Sequence, residues 1–112
     1  MASFMTTRSF AQLRTEVFSL VAQIPRGKIT TYKQLALAAG TGPRVIGRVL
    51  NTNTDSSTYP CHRVIKSDGT VASGYAFGGQ TRQIELLQQE GVKFQHQRTD
   101  IEGYLWVNFN KV

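Results

Sequence analysis

The residues with the clearest chemical potential lie in one short stretch, residues 60–65, which reads Pro-Cys-His-Arg-Val-Ile. Cys61 is the only cysteine of the 112 residues. A thiol becomes a strong nucleophile when a neighbouring base or cation lowers its pKa, and His62 and Arg63 are candidates for these roles. Adjacent side chains of a straight strand point to opposite faces. Cys61 and His62 can therefore cooperate only in a turn, which Pro60 favours, or through a bridging water.

A lone cysteine also has a second interpretation, as a small hydrophobic residue of the core. Cys-His pairs are common by chance, so the pair alone leaves both interpretations open. One cysteine excludes an intramolecular disulfide and a thiolate-rich zinc site, and two histidines, His62 and His96, are too few for a histidine-rich metal site. The sequence therefore predicts neither a metal nor a cofactor.

Three helices are predicted ahead of this stretch. Apolar residues recur at helical spacing over residues 9–24, and Pro25-Arg26-Gly27 ends that helix. A second helix is capped by Thr30-Thr31 and stops at Gly40. A third begins at Pro43 and runs to Leu50. The short glycine-containing turn between the second and third helices is typical of a helix-turn-helix.

Beyond the cysteine, the pattern predicts an Asp-Gly turn at residues 66–69 and a segment rich in glycine and aromatic residues at 71–79. Thr81 is predicted to cap a last helix over residues 82–90, with Ile84, Leu86 and Leu87 buried. The tail, residues 92–112, is predicted to hold a strand or short helix and to dock on the core through its aromatic residues.

The overall composition bounds the class of protein. The net charge of +6 favours anionic partners, of which DNA is the commonest. The other interpretation is a basic soluble protein without a special ligand. No apolar run is long enough to cross a membrane, and the first residues lack the pattern of a signal peptide. We therefore expect one domain over residues 1–112, an intracellular location (cytoplasm and nucleoid, or nucleus) and no membrane partner.

In their order, these motifs resemble the O6-alkylguanine-DNA alkyltransferase family. Residues 60–64 match its active-site signature residue for residue. The flanking segments are similar in the same order: 24–28 with Thr31-Tyr32, 43–47, Asn53, 73–75 with 78–79, and 86–91. The resemblance covers about residues 9–94. It implies a mainly α, small α+β fold, a compact winged-helix-like domain with a helix-turn-helix.

The resemblance also implies catalytic roles. In the family a cysteine thiolate, here Cys61, attacks the alkyl carbon on guanine O6. A histidine activates it through water and a glutamate holds the histidine, which would be His62 and Glu90. Tyr32 would donate a proton to the leaving guanine, with help from Thr31.

The target atom cannot be reached inside a stacked duplex, so the family flips the nucleotide into a pocket from the minor groove. Arg44 would fill the gap, and Gly47 would allow close approach. Arg48 stands where a small residue is usual, so it would either bond a phosphate or crowd the groove. Further DNA-binding positions are Asn53 and Thr31. The implied substrate pocket comprises Val64, Ser73, Gly74, Tyr75, Ala76 and Arg82, whereas Arg63 is expected to brace the structure.

Three functions compete at this point. The first is irreversible alkyl transfer to Cys61 by a monomer acting on double-stranded DNA that contains O6-alkylguanine. The chain's size resembles the alkyltransferase-like proteins, which carry Trp or Ala in place of the cysteine, flip O6-alkylguanine without transfer and recruit nucleotide excision repair proteins. Cys61 favours the enzyme. A sequence-specific helix-turn-helix regulator is the third, and it leaves the signature and Glu90 unexplained.

Overall fold

The computed structural model describes residues 8–110. Three helices come first: α1 (Phe10–Val21), α2 (Tyr32–Ala39) and α3 (Pro43–Leu50). A 3₁₀ turn (Cys61–Arg63) and a fourth helix, α4 (Gly79–Gln89), follow. The mainly helical fold with a helix-turn-helix is confirmed. Within the described residues, none of the helices has the length and apolar character needed to span a membrane.

The ends of the first three helices follow from local capping chemistry. Ser9 forms a capping box with Gln12 at the start of α1, and the Thr31 hydroxyl accepts a hydrogen bond from the Gln34 amide at the start of α2. Gly40 ends α2 in the left-handed conformation, with a φ of 70°. Pro43 is the first residue of α3. The sequence predicts the roles of Thr31, Gly40 and Pro43, whereas the capping box at Ser9 is seen only in the structure.

The first helix is shorter than predicted. It ends at Val21 rather than Ile24, because the amides of Gln23 and Ile24 bond three residues back, to Leu20 and Val21. These tighter turns close the helix before Pro25. Ile24 remains buried, so the apolar face continues past the helix end.

Two short sheets tie the helices to the rest of the chain. Strand β1 (Thr30–Thr31) pairs in parallel with β2 (Val64–Ile65), with Thr30 opposite Val64. Because β1 leads directly into α2 and β2 directly follows the 3₁₀ turn, this pairing fixes α2 relative to Cys61. Strands β3 (Phe94–Gln95) and β4 (Arg98–Thr99) form an antiparallel hairpin in the tail.

Two adjoining apolar clusters hold the fold together. The larger lies between α1, α2 and α3 and includes the fully buried Val17, Leu35 and Ile46. The smaller one, Ile29, Ile65, Val71, Leu87 and Val92, joins the strands to α4. Burial of such side chains is the main favourable contribution to folding. The second cluster is what presses α4 against the 3₁₀ turn.

The start of α4 corrects the sequence prediction. The helix begins at Gly79 and ends at Gln89, so Thr81 lies inside it and does not cap it. Gly78 takes the capping position with a φ of 125°, a conformation that glycine adopts without strain. The Gly79 amide then donates to the Tyr75 carbonyl at 3.0 Å. The turn at Gly78 and Gly79 therefore starts the helix two residues before Thr81.

The buried face of α4 also differs from the prediction. Leu87 is fully buried, but Ile84 and Leu86 are only half-buried. The other fully enclosed side chain is polar: Gln83 is 2% exposed. This face of α4 therefore carries a polar contact as well as an apolar one.

The tail docks on the core, as predicted. Leu105 forms an isolated parallel bridge with Ile29, and the Trp106 amide donates to the Ile29 carbonyl at 2.7 Å. Trp106 and Phe109 pack edge to face, 4.9 Å between ring centres, against the larger cluster. The tail therefore covers the side of the domain where β1 begins.

Candidate active site

Cys61, His62 and Arg63 form a single 3₁₀ turn, which we call the nucleophile turn. The Cys61 amide donates to the Tyr59 carbonyl at 2.7 Å, and the Val64 amide donates to the Cys61 carbonyl. These bonds curl the backbone, so Cys61 and His62 do not alternate across a strand. The segment has the turn that cooperation between them requires.

The Cys61 thiol is buried and accepts a hydrogen bond from a neighbouring side chain. Cys61 is 6% exposed, and its Sγ accepts a hydrogen bond from Asn53 Nδ2 at 3.3 Å. The same amide group donates to the Tyr59 carbonyl at 2.9 Å. Burial raises the pKa of Cys61, and the bond from Asn53 opposes this only in part. The thiol is therefore protonated in the free protein at neutral pH.

Glu90, directly after α4, joins His62 and Arg63. His62 Nε2 lies 3.0 Å from Glu90 Oε2, and Arg63 donates to both carboxylate oxygens at 2.9 and 2.7 Å. Arg63 also donates to the Ile24 carbonyl at 2.8 Å, which is the bracing role expected of it. Burial acts to raise the pKa of Glu90, but the hydrogen bonds from Arg63 and His62 outweigh it and hold the pKa below its ordinary value. Glu90 is thus a carboxylate.

The state of the imidazole follows from this arrangement. Burial lowers the pKa of His62, although the bond to Glu90 acts in the opposite direction. Since a carboxylate can only accept, it keeps the proton of the neutral ring on Nε2. Nδ1 is buried without a hydrogen-bond partner in the described part of the chain. His62 therefore presents an unused basic nitrogen.

Gln83 positions the nucleophile turn and was not identified from the sequence. Its Nε2 donates to the carbonyls of His62 and Val64 at 3.0 and 3.1 Å, so α4 holds the nucleophile turn from the outside. A glutamine in a helix usually indicates a solvated position. Its spacing of four from Leu87, which places both on one helix face, was the available signal.

The thiol faces a cavity of about 490 Å³. The wall combines side chains from α2, α3, the nucleophile turn and the segment before α4. Seven of its residues were predicted from the sequence: Tyr32, Arg44, Gly47, Cys61, Gly74, Tyr75 and Ala76. Six were not: Pro43, Leu50, Asn51, Lys66, Ala72 and Gln83.

Two tyrosines of the cavity wall, Tyr32 and Tyr75, keep their hydroxyl groups protonated at neutral pH. Burial raises the pKa of Tyr32, and the negative charge of a Cys61 thiolate would raise it further. Burial likewise raises the pKa of Tyr75 to about 12. The Tyr75 hydroxyl is buried without a partner among the described residues. Both hydroxyl groups can donate hydrogen bonds into the cavity at neutral pH.

Three predicted site residues have internal side-chain roles instead. Thr31 is 4% exposed, and its hydroxyl is used to cap α2. Asn53 is 5% exposed, and its side-chain amide donates to Cys61 Sγ. Val64 is fully buried in the core, and its carbonyl already accepts the bond from Gln83. These residues support the site rather than line it.

Three others lie on the surface outside the cavity wall. Ser73 is exposed. Arg82 is exposed and pairs with Glu85 at 3.5 Å, one turn along α4. Arg48 lies with its guanidinium 5.5 Å from the centre of the Phe10 ring. None of the three is placed to touch a molecule bound deep in the cavity.

The exposed side of α3, with Arg44, Gly47 and Arg48, forms what we call the arginine face. Arg44 and Arg48 are exposed, and within residues 8–110 neither forms a salt bridge. A Cβ added at Gly47 would meet no atom within 4 Å. This face is positively charged, open and unobstructed at the rim of the cavity.

Comparison with known proteins places the chain among DNA-repair proteins. A family model described as 6-O-methylguanine DNA methyltransferase, DNA binding domain, matches residues 12–92. A methylated-DNA–protein-cysteine methyltransferase of Saccharolobus solfataricus is 45% identical over 80 residues, 71% of this chain and 51% of that protein. A bifunctional methyltransferase/endonuclease of Picrophilus torridus is 37% identical over 100 residues, 88% of this chain and 33% of that protein. The chain thus spans between a third and a half of the length of these relatives.

Solved structures agree on the fold. Atl1 of Schizosaccharomyces pombe, in complex with damaged DNA containing O6-carboxymethylguanine, superposes with a TM-score of 0.78 at 30% identity, covering 89% of this chain and 98% of that one. The O6-methylguanine-DNA methyltransferase of Pyrococcus kodakaraensis gives a TM-score of 0.62 at 33% identity, covering 81% of this chain and 54% of that one. With its signature, its helix-turn-helix and this match over residues 12–92, the chain belongs to the O6-alkylguanine-DNA alkyltransferase family.

Proposed function

We propose that this protein removes the alkyl group from O6-alkylguanine in double-stranded DNA by transferring it irreversibly to the Sγ atom of Cys61. One observation carries the proposal. The Cys61 thiol opens into the same cavity as Tyr32 and Arg44, and the imidazole beside it is held by Glu90. Nucleophile, proton donor and DNA-facing cation thus border one space, and the base is the residue next to the nucleophile in the same turn.

The cavity and the arginine face support access by a flipped nucleotide. The volume of about 490 Å³ lies within the range of small-molecule sites, which is ample for a purine. Extruding a base costs a few kcal/mol, least for a damaged one. Arg44, at the rim, can occupy the gap in the duplex. Gly47 next to it offers no side chain to keep the minor groove away.

Proton transfer accompanies the attack, because the thiol is protonated at rest. As the bond forms between Sγ and the alkyl carbon, the thiol proton passes through a bridging water to His62 Nδ1, because no direct hydrogen bond joins the two side chains within the described residues. Glu90 then faces an imidazolium and stabilises it. The neutral resting state of His62, caused by its burial, is the state that can accept this proton.

The leaving group is the guanine itself. As the bond between the alkyl carbon and O6 breaks, its electron pair stays on the base, which accepts a proton from the Tyr32 hydroxyl. The raised pKa of Tyr32 keeps that hydroxyl protonated until then. The proton on His62 then passes through solvent to the Tyr32 phenolate, so the balance is thiol plus O6-alkylguanine giving thioether plus guanine. A thioether is not hydrolysed, so each molecule acts once.

The test is the intact mass of the protein after incubation with a duplex that contains one O6-methylguanine. We expect a gain of one methylene in the wild type, none in Cys61→Ser, and none with the undamaged duplex of the same sequence. A Cys61→Ser variant that still gained this mass would refute the assigned nucleophile.

A second candidate is recognition of the lesion without transfer, with recruitment of nucleotide excision repair proteins. The observation that favours it is the likeness to Atl1 over 98% of that chain's length. The same incubation separates the two functions. Preferential binding of the lesion duplex without any gain in mass would support recognition alone.

A further inference from the structure

Arg14, on α1, holds the loop that connects α3 to the nucleophile turn, residues 51–60. Its Nε donates to the Thr52 hydroxyl at 2.7 Å, and a second guanidinium nitrogen donates to the Thr52 carbonyl at 3.1 Å. The planar guanidinium presents both donors in a fixed fork. The Thr52 hydroxyl itself donates to the Val49 carbonyl at 2.6 Å, so these bonds tie the end of α3 to α1.

The same guanidinium acts on the far end of the loop through two aromatic rings. It lies over the Phe18 ring, 4.7 Å from its centre and one turn along α1. Phe18 packs against Tyr59, with 5.0 Å between the ring centres. A cation over the face of an aromatic ring is attracted to it. Helix α1 therefore holds the loop at both ends, and Arg14 takes part in both contacts.

Between these two anchors lies the amide group that touches the sulfur. The Thr52 carbonyl, which Arg14 binds, shares a rigid peptide plane with the N–H of Asn53, and that N–H donates to the end of α3 at 3.1 Å. At the other anchor, the Tyr59 carbonyl accepts from Asn53 Nδ2 at 2.9 Å. The same Nδ2 lies 3.3 Å from Cys61 Sγ. The position of this donor thus depends on both anchors.

We propose that Arg14 is a positioning residue for alkyl transfer, because it fixes the Thr52–Asn53 peptide and so holds the Asn53 amide against the reacting sulfur. The link to transfer rests on the proposed function, whereas the effect on the thiol can be measured without DNA. A hydrogen bond to a charged sulfur is stronger than one to a neutral thiol, so it favours loss of the proton. Arg14 acts through Asn53 and not by contact with the sulfur.

The other groups around the thiol are independent of Arg14. The titratable and charged groups nearby are Tyr32, Arg44, Lys66 and Tyr75 of the cavity wall and His62 with its partner Glu90. In the described part of the chain, none of them forms a hydrogen bond or a salt bridge with Arg14. Burial raises the pKa of Cys61, and the hydrogen bonds from Asn53 and from the backbone of Cys61 lower it. A change in this pKa on substitution of Arg14 therefore reports on Asn53.

The test uses Cys61 as its own reporter, because it is the only cysteine of the chain. The rate of its reaction with iodoacetamide is measured against pH without DNA. The pH of half-maximal rate gives the pKa of the thiol, however easily the reagent enters the cavity. In Arg14→Met we expect this midpoint to rise by about half a pH unit or more, and methyl transfer at neutral pH to slow by about threefold or more.

A matched pair of substitutions tests the same contact from the other side. Thr52→Val keeps the shape of the side chain but removes the hydroxyl that accepts from Arg14, so the midpoint should rise, though by less than in Arg14→Met. Thr52→Ser keeps the hydroxyl and should behave like the parent chain. Equal midpoints in the two Thr52 variants would contradict a role for this bond.

Two further comparisons separate positioning from a loss of stability. Ser9→Ala removes the capping box of the same helix and so destabilises it, yet should leave the midpoint unchanged. In an Asn53→Ala chain, Arg14→Met should not move the midpoint further, because the amide through which it acts is missing. A midpoint that does not change in Arg14→Met, or that rises equally in the Asn53→Ala chain, would overturn the proposal. The Thr52 pair decides the question where the Asn53→Ala chain does not fold.

Failure of the proposed function gives a different result. A parent chain that never gains a methyl group from lesion DNA would refute alkyl transfer, and with it the link from Arg14 to transfer. The midpoint of the iodoacetamide reaction would still rise in Arg14→Met, since that measurement involves no DNA. An unchanged midpoint in a chain that does transfer the methyl group would overturn the role of Arg14 alone.

Discussion

The nucleophile turn and the arginine face border one cavity, but they are built in opposite ways. At the turn, the side chains of His62 and Arg63 are largely buried and both bond to Glu90, which follows α4. On the arginine face, Arg44 and Arg48 are exposed and form no salt bridge in the described part of the chain. The charges of the first region are paired within the protein, whereas those of the second remain available to a ligand.

The difference shows how stability and binding are divided in this domain. A buried ionic network has a fixed geometry, and losing one member leaves an uncompensated charge. Exposed cations contribute little to folding and remain free for phosphates. Changes in the turn should therefore affect folding and chemistry together, whereas changes on the arginine face should affect DNA binding alone.

The largest effect is expected from Glu90→Gln. The change removes the negative charge that Arg63 and His62 share, so we expect the free energy of unfolding to fall by about 2–3 kcal/mol. Alkyl transfer should slow by about 100-fold or more, because the imidazolium loses its counter-charge. Denaturant unfolding and single-turnover rates measure the two quantities.

The matched control is Glu85→Gln, one helical turn earlier on α4. Glu85 pairs with Arg82 on the surface, and we expect its loss to change the free energy of unfolding by less than about 0.5 kcal/mol. Equal effects of the two substitutions would contradict the contrast between buried and exposed charge.

The pH dependence should produce the next largest effect. The lowered pKa of His62 means that the base stays neutral to below its ordinary value of 6.5, so the transfer rate should begin to fall only below that pH, by about tenfold per unit. Because the pKa of Cys61 is raised above its ordinary value of 9.0, we expect no increase in the transfer rate from thiolate formation until the pH exceeds 9.0. A rate that already falls between pH 8 and pH 7 would contradict this account.

The free energy of unfolding should also decrease as the pH falls. The unfolded chain binds a proton at His62 more readily than the folded one, so this contribution is fully present above pH 6.5 and is lost as the pH falls through the folded pKa. Glu90, whose pKa is also lowered, adds a second loss below 4.5. Thermal unfolding across this range measures both.

Arg44→Ala tests the open region. We expect the affinity for lesion DNA to fall by about tenfold, because the gap left by the flipped nucleotide loses its cation. The free energy of unfolding should change by less than about 0.5 kcal/mol. Arg98→Ala, an equal loss of charge on β4, is the control and should weaken binding far less. Similar losses of affinity in the two variants would show that Arg44 contributes only its charge and does not fill the gap in the duplex.

The smallest effect is expected from Gly47→Ala. A Cβ there meets no protein atom within 4 Å, and alanine is the better helix former by about 1 kcal/mol, so the protein should become more stable. Binding of lesion DNA should nevertheless weaken by a factor of about three, because the added methyl faces the groove. An unchanged affinity of Gly47→Ala for lesion DNA would show that the DNA does not approach α3 at Gly47.

The sequence predicted those parts of the molecule that local chemistry determines. Thr31, Gly40 and Pro43 mark helix ends through contacts within a few residues, and each was identified correctly. The start of α4 was predicted incorrectly. Threonine is a favourable capping residue, so the sequence pointed to Thr81, and only the backbone conformation of Gly78 shows that the helix begins at Gly79.

The candidate site depends on longer-range contacts, which sequence patterns record less well. The resemblance pointed to Glu90 as the partner of His62, 28 residues away, and the structure brings them to 3.0 Å. The one signal in the pattern that Gln83 would be buried was its spacing of four from Leu87. That burial follows from the cluster around Leu87, which presses α4 against the nucleophile turn.

The central claim is that the enclosed sulfur of Cys61 is the acceptor of the alkyl group. The most direct test is peptide mass spectrometry of the protein after reaction with an excess of duplex carrying O6-methylguanine. We expect one methyl group per molecule, located on Cys61, and repaired guanine in the DNA. A methyl group on another residue, or lesion DNA that is bound and recovered unchanged, would contradict it.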